Sequence, residues 1–448
     1  MTIPQQGIDA DDLRARMERY RGNDGDAAGA RLFSLVYATR SDILDVAKDA
    51  YGRFFSENAL NPMTFPSLRR FETEVLEIAI ELLHGPAGAA GSMTSGGSES
   101  LLLAVKTARD WARLNRPHVT APEMLLPVTA HPALLKAAHI VGVEPVIVPV
   151  TDAFVADMEA ARSLVTDNTV LVVGSAPQYP HGVMDPITEL AELAASRGIL
   201  CHVDSCIGGF FLPWLEKLGR EVPPFDFRVP GVTSISADLH KYAYAAKGAS
   251  VLLHRSRALR RHQYFVHPDW PGGLFGSPSV LGTRPGGAIA AAWAVMHYLG
   301  AEGYLDLTRR AMDATKRMAD GVREIPGLRI LGNPVMSLLA IGIDERHADP
   351  VDLNVVADRM LQKGWRIDRQ QRPTSLHLTV SPAHDVLAET FVADLREAVA
   401  HVRSSGEQAQ GPSAMYGMLG QLPDRAFVGD ALLDFMDGMD SMPTMLEG

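Results

Sequence analysis

The sequence has only two cysteines, Cys201 and Cys206, in 448 residues. Two thiols make neither a disulfide framework nor a complete cysteine zinc site. Both are expected to be small buried side chains, and no metal is expected. Nowhere do about 18 apolar residues run together, so no membrane span is predicted. Residues 1–21 are polar and charged, without the basic-then-apolar order of a signal peptide, which points to the cytoplasm. An excess of positive charge is also missing. The formal net charge of -11 excludes a general nucleic-acid binder, whose footprint is a basic patch. It leaves room for a small anionic substrate, which needs only a few local cations. No internal repeat is found.

What is present reads as an ordinary globular protein, 46% hydrophobic and 21% charged, long enough for a large core and two domains. An amphipathic helix is predicted over residues 9–21, then a Gly-Asn-Asp-Gly-Asp-Ala loop at 22–27 that reads as a flexible arm. Further helices are predicted at 42–55, 69–83 and 100–114. The second of these has Phe71, Val75, Leu76, Ile78, Ala79 and Leu82 on its apolar face. Short apolar runs at 123–128, 144–148, 170–175, 199–204 and 250–253 follow, with helical patterns such as 132–141 and 188–196 between several of them. That alternation predicts an α/β architecture with a largely parallel sheet. Runs at 329–331, 338–343 and 376–380, with a helix at 386–403, predict a smaller α+β domain. A polar loop at 404–413 precedes a last helical segment rich in Met and Asp. The expected division is an N-terminal arm with helices at 1–60, a large cofactor-binding domain at 61–312 and a small C-terminal domain at 313–448.

One stretch carries chemistry. Asp238-Leu239-His240-Lys241 places a lysine 37 residues after Asp204, which closes the run His202-Val203-Asp204. A lysine after a histidine, downstream of an acid ending an apolar strand, is the arrangement a pyridoxal phosphate enzyme needs. The lysine amine forms the Schiff base with the cofactor aldehyde, and the carboxylate keeps the pyridinium nitrogen protonated. Thr94-Ser95-Gly96-Gly97-Ser98-Glu99-Ser100 opens a helix. Its glycines allow close approach of backbone to an anion, and the helix N-terminus offers amides to a phosphate; Glu99 alternatively reads as a capping acid. His131 starts a helix after a strand, where an imidazole can stack on a planar ring. Gly282-Thr283-Arg284-Pro285-Gly286-Gly287 is a second turn, with an arginine fork suited to phosphate or carboxylate.

Longer motifs resemble one family. Gly174-Ser-Ala-Pro-Gln-Tyr-Pro-His-Gly-Val-Met-Asp185, His202-Val-Asp-Ser-Cys-Ile-Gly-Gly-Phe210, Pro224-Phe-Asp-Phe-Arg-Val229, Gly231-Val-Thr-Ser-Ile-Ser-Ala-Asp-Leu-His-Lys-Tyr242 and Lys247-Gly248 closely resemble sphingosine-1-phosphate lyases, among the group II decarboxylases that use pyridoxal phosphate. The likeness runs from about Tyr37 to Ala414-Met-Tyr-Gly-Met418 and is densest between residues 90 and 300.

The resemblance implies a type I pyridoxal-phosphate transferase fold (aspartate aminotransferase-like), and a homodimer with sites at the interface. By resemblance, Lys241 is the Schiff-base lysine, Asp204 the pyridinium partner and His131 the stacking residue. Gly97, Ser98 and His240 resemble cofactor-phosphate contacts. Tyr37 and Tyr179 match tyrosines near the reacting carbon, and Lys247 a second lysine near the substrate phosphate. The turn with Thr283 and Arg284 resembles a loop supplied across the dimer. Asn58 matches an asparagine in an Asn-Pro-Leu-His-Pro pattern, written here Asn58-Ala59-Leu60-Asn61-Pro62. Asn61 therefore replaces a histidine expected near the substrate's phosphate end, and asparagine carries no charge. The membrane-spanning N-terminus of eukaryotic members is not found, which fits a soluble prokaryotic-type form.

The expected reaction is retro-aldol cleavage of the C2–C3 bond in a phosphorylated long-chain amino alcohol, giving a fatty aldehyde and phosphoethanolamine. The alternative is an amino-acid decarboxylase. Tyr37 and Tyr179 are candidates for proton transfer. A tyrosine base needs a depressed pKa, which Lys247 is expected to help supply; freed Lys241 is another candidate. The run Phe210-Phe211-Leu212-Pro213-Trp214-Leu215 reads chiefly as core packing and secondarily as a wall for the substrate's tail.

Overall fold

The computed structural model describes residues 3–22, 24–25, 30–349 and 351–440. Half of the expected flexible loop at 22–27 lies outside the described residues, as does the end of the last segment. A seven-stranded sheet forms the centre, in the order β1-β7-β6-β5-β4-β2-β3. Its strands are β1 (Ala90–Thr94), β2 (Glu123–Pro127), β3 (Glu144–Val148), β4 (Thr169–Ser175), β5 (Leu200–Asp204), β6 (Ser234–Ala237) and β7 (Ser250–His254). The pairs β2/β3, β2/β4, β4/β5 and β5/β6 are parallel, whereas β7 lies antiparallel to both β1 and β6.

Strands β4 to β7 are buried along their whole length, which explains their apolar runs. The exception in composition is β6, Ser-Ile-Ser-Ala, which gives no apolar signal. Its serines are tolerated because buried His202 on β5 uses both ring nitrogens on them, at 2.9 Å to Ser234 Oγ and 3.2 Å to Ser236 Oγ. Edge strand β3 carries Pro145 and stays partly exposed, as an edge permits. Beyond the sheet, β8 (Phe265–His267) and β9 (Phe275–Ser277) form a separate hairpin.

The smaller sheet is antiparallel, in the order β10-β11-β13-β12: β10 (Leu328–Ile330), β11 (Leu338–Ile343), β12 (Asp368–Gln371) and β13 (Thr374–Thr379). One long helix, Gly286–Arg323, broken at Gly300 (φ 54°), joins the two bodies. Its buried residues up to Ala311 belong to the large core, and from Ala314 onward to the small one. We place the boundary between the domains there. The N-terminal segment does not stay with its neighbours in sequence. Phe33 is buried in the small core, stacked 4.4 Å from His384 and edge-on to Phe391 at 4.9 Å. The run at 210–215 is core, as its chief reading expects: Phe211 and Leu212 are fully buried, and Trp214 stacks on Tyr304 at 5.1 Å. Both cysteines are free and buried. Among the described residues no helix is long and apolar enough to cross a membrane.

Five buried histidines make the fold acid-sensitive. Burial pushes His181, His202, His254, His377 and His384 down to about 4, below the ordinary 6.5. In the unfolded chain they protonate near 6.5, and in the folded protein only near 4, so unfolding takes up protons in that window. Stability present above pH 6.5 is therefore lost as the pH falls toward about 4. Urea unfolding across this range should show a steadily declining free energy with a slope of more than one proton. A flat profile contradicts the assignment.

Candidate active site

The C-terminal ends of the parallel strands open into a cleft of about 510 Å³, where open α/β sheets place ligands. The ends of β4 and β5 and the segments after β1, β2, β4, β5 and β6 line it, with Leu35 and Tyr37 from the N-terminal segment. Asp238 follows β6 directly and is buried; Lys241 lies one turn further, its Nζ 3.0 Å from Asp238 Oδ2. Burial opposes charge on Lys241, but the Asp238 carboxylate outweighs it and holds the ammonium above the usual lysine range. Burial likewise opposes charge on Asp238, and Lys241 and His240 overcome it. Asp238 is a site residue that the sequence reading quoted without a role. Its Oδ1 is buried and has no hydrogen-bond partner among the described residues.

Opposite stands the helix Gly97–Asn115, which starts three residues earlier than the predicted 100 because the glycine turn itself is helical. Gly96 has φ 153° and precedes it. A Cβ on Gly97 would sit 2.9 Å from Asp238 Oδ2 and 3.0 Å from Cys206 Sγ, and one on Gly96 3.3 Å from His240. The glycines therefore leave a cradle against Asp238 and His240, beside the first helical amides, which a helix cannot satisfy internally. Glu99 serves as an acid that ties down the turn. Its Oε2 accepts from Ser95 N–H at 2.6 Å, and its Oε1 from the amides of Val280 and Leu281. That pins a distant loop to the rim.

Asp204 ends β5 as expected. Its Oδ1 accepts from Cys206 N–H at 3.1 Å and Ser236 Oγ at 3.4 Å, leaving Oδ2 free for a ligand. His131 is open to the cleft on one side. Its Nδ1 accepts from Ala133 N–H at 3.1 Å, so Nε2 carries the proton. Desolvation lowers its pKa, with Asp204 opposing, and the ring stays neutral and planar for stacking. A carboxylate for a ring nitrogen, an aromatic face, a glycine cradle at a helix N-terminus and a lysine in one cleft fit pyridoxal phosphate.

Tyr37, Tyr179 and Lys247 line the same cleft. Lys247 Nζ lies 5.1 Å above the Tyr37 ring, a cation–π contact, and donates to His240 O at 3.3 Å. The expectation of a tyrosine with depressed pKa is corrected. Burial, against Lys241 and with Asp238, pushes Tyr37 up to about 12. Burial, then Asp368, raises Tyr179 further still. Lys247 is itself weakened by burial and by Lys241. Both phenols are proton donors at neutral pH.

Four expected residues are not brought to this cleft within the chain. Asn58 and Asn61 spend their side-chain oxygens on the amides of Leu60 and Met63. Thr283 is exposed in its turn. Arg284 is engaged within its own chain: its fork is bidentate on Glu72, at 2.6 and 3.0 Å, and it also reaches Met93 O and Ala59 O. This buried pair clamps the turn onto the helix Pro66–Leu82. The asparagine loop and the arginine turn do meet each other, through Ala59 N–H to Arg284 O and Gly286 N–H to Glu57 O. Sequence reasoning also missed Asp368, which bonds Tyr179. A lone acid after Trp365-Arg366-Ile367 gives no signal by which to find it.

The family described as the pyridoxal-dependent decarboxylase conserved domain matches residues 30–342. A sphingosine-1-phosphate lyase from Arabidopsis thaliana is 42% identical, over 97% of this chain and 80% of that protein. One from Rattus norvegicus is 37% identical, over 100% of this chain and 78% of that protein. A solved sphingosine-1-phosphate lyase from Burkholderia pseudomallei superposes with a TM-score of 0.85 at 38% identity, covering 97% of each chain. The chain belongs to the pyridoxal-dependent decarboxylase family. Its branch of that family is the sphingosine-1-phosphate lyases.

The cradle makes a direct prediction. Gly97→Ala pushes a methyl group into Asp238 and Cys206, so cofactor affinity should fall at least about tenfold, a change of ~1.4 kcal/mol. Titration of the visible absorbance of bound cofactor reads it, and unchanged affinity contradicts the cradle.

Proposed function

We infer that the protein is a pyridoxal phosphate-dependent carbon–carbon lyase. It cleaves the C2–C3 bond of a phosphorylated long-chain amino alcohol of the sphingosine 1-phosphate type to a fatty aldehyde and phosphoethanolamine. The observation that carries this reading is the buried Lys241–Asp238 pair facing the Gly97 cradle, in a chain so similar to lyases along its length. Pyridoxal phosphate bound here supplies an electron sink for the pair left on C2 when the bond opens.

The chain's own residues divide the remaining work. Lys241, held 3.0 Å from Asp238, is the amine that would bond the cofactor aldehyde. Asp204 holds the proton on the ring nitrogen, and His131 covers the ring. Gly97, Ser98 and His240 hold the cofactor phosphate. Lys247 places positive charge over Tyr37, and the pair is suited to an anionic head group. Tyr37 and Tyr179 present O–H groups that orient oxygen atoms and return protons.

We propose a homodimer that completes the site with the loops bearing Asn58, Asn61 and Thr283. Exposed Phe265, Val266, Trp270 and Leu274 on the hairpin, with Val280 and Leu281 beside Thr283, support it as a face that a second copy would cover. Asn61 then offers a neutral hydrogen bond where a charged histidine is expected. The free state of Cys201 and Cys206 is consistent with a cytoplasmic setting.

Mass spectrometry of products from cofactor-loaded protein and sphingosine 1-phosphate tests the reading. A long-chain aldehyde with phosphoethanolamine is expected. Carbon dioxide from an amino acid, with neither product, moves the protein to the decarboxylases. In the same assay Tyr179→Phe should lower kcat about 100-fold or more while cofactor affinity changes less than about twofold. Full turnover removes Tyr179 from the chemistry.

A further inference from the structure

Tyr37 and Tyr179 both remain protonated, so a proton leaving a substrate hydroxyl in this cleft still needs an acceptor. One lies immediately behind. Tyr179 Oη donates to Asp368 Oδ2 at 3.2 Å, and Ser34 Oγ donates to Asp368 Oδ1 at 3.0 Å. Asp368 begins β12, and β13 sets His377 directly opposite it. The His377 ring lies 4.2 Å from that of Tyr179, and Gln370 Nε2 donates to Pro180 O at 2.8 Å. The small domain thus fixes the Tyr179–Pro180 loop from one side while the catalytic cleft opens on the other. On that far side is a second cavity of about 500 Å³, lined by Tyr179, Asp368, Arg369, Gln370, Ser413 and Tyr416 among others. Tyr179 is a wall common to both cavities, whereas Asp368 lines only the second.

We propose that Asp368 is the proton partner of Tyr179, acting on the substrate through that phenol and exchanging its proton with solvent through the second cavity. This rests on the reading of Tyr179 given above. As the substrate O–H bond breaks, a bond forms from that proton to Tyr179 Oη. The former Oη proton passes to Asp368 Oδ2. Tyr179 is neutral before and after. The negative charge moves from Asp368 to the substrate oxygen, which becomes the carbonyl oxygen as the C2–C3 pair leaves with C2. The arrangement lets a phenol of raised pKa serve as a base without ever being an anion, because a carboxylate takes the charge change.

The groups facing Asp368 do not compete for it. Ser34, Tyr37 and Tyr416 are hydroxyls; the Tyr416 hydroxyl donates to Arg369 O at 2.7 Å. Arg369 is engaged by Asp358 at 2.6 Å. Burial holds His377 neutral down to about 4. Asp368 is a positioning residue and proton partner; it does not touch the substrate.

The test uses cofactor-loaded protein with ¹³Cζ-labelled tyrosine, and the variants Asp368→Asn, Tyr179→Phe, the double variant and Ser34→Ala. Asparagine keeps an acceptor for Tyr179 but removes the charge, so the Tyr179 titration should move to lower pH whether or not substrate turns over. Turnover should fall about 100-fold in kcat with KM within about twofold. The double variant should be no more than about twofold slower than Tyr179→Phe alone. Ser34→Ala keeps the Tyr179 bond and should stay within about threefold of the parent. An unmoved Tyr179 titration, multiplying losses in the double variant, or equal damage from Ser34→Ala overturns the role of Asp368. A fully active Tyr179→Phe overturns the role of Tyr179 as well; a slow one with an unmoved titration overturns Asp368 alone.

Discussion

A lysine ammonium and a carboxylate buried 3.0 Å apart, at the end of a parallel sheet, constrain everything around them. Neither charge is tolerated there without the other, since removing one partner of a buried pair leaves an uncompensated ion. The pair therefore fixes the turn after β6 and with it the direction in which Lys241 points. It also dictates the facing element. Two oxygens of Asp238 lie so close to Gly97 that no side chain fits, and the helix must begin there with bare backbone. The glycine turn and the Lys241–Asp238 pair are two sides of one close approach.

The second constraint is the seam between the cores. The N-terminal segment anchors Phe33 in the small domain and then carries Tyr37 into the large domain's cleft. Asp368 takes one hydrogen bond from that segment and one from the Tyr179 loop, so a single carboxylate sets both tyrosines against the cleft. The polar loops that the family resemblance assigns to the cleft, at Asn58, Asn61 and Thr283, do not line it within one chain.

Tyrosine chemistry follows from the same burial. A phenol deep in the seam resists ionising, and a nearby carboxylate makes it resist more. Proton movement must then run through hydrogen bonds rather than through a standing phenolate. Lys247 is held over Tyr37, and burial opposes its charge.

Much of this was legible in the sequence because the signals are local. The strands β3 and β11 fall where apolar runs place them, and Asp204, His131 and Lys241 fall together because each closes or follows a strand of one sheet, whose C-terminal edge collects them. Strand β6 was hidden, since its serines look like a loop until His202 is seen between them. The helix at 97 was placed late because glycines read as a turn. The bidentate hold of Glu72 on Arg284 joins residues 212 apart, and the Asp368–Tyr179 bond joins residues 189 apart. No spacing rule connects such pairs. The sequence by itself determined the fold class, the cofactor and the lysine, all of which depend on periodicity and short motifs. Only the tertiary structure decided which cations are free, which phenols hold their protons and which acid stands behind them, because burial and long-range hydrogen bonds exist only once the chain has closed on itself.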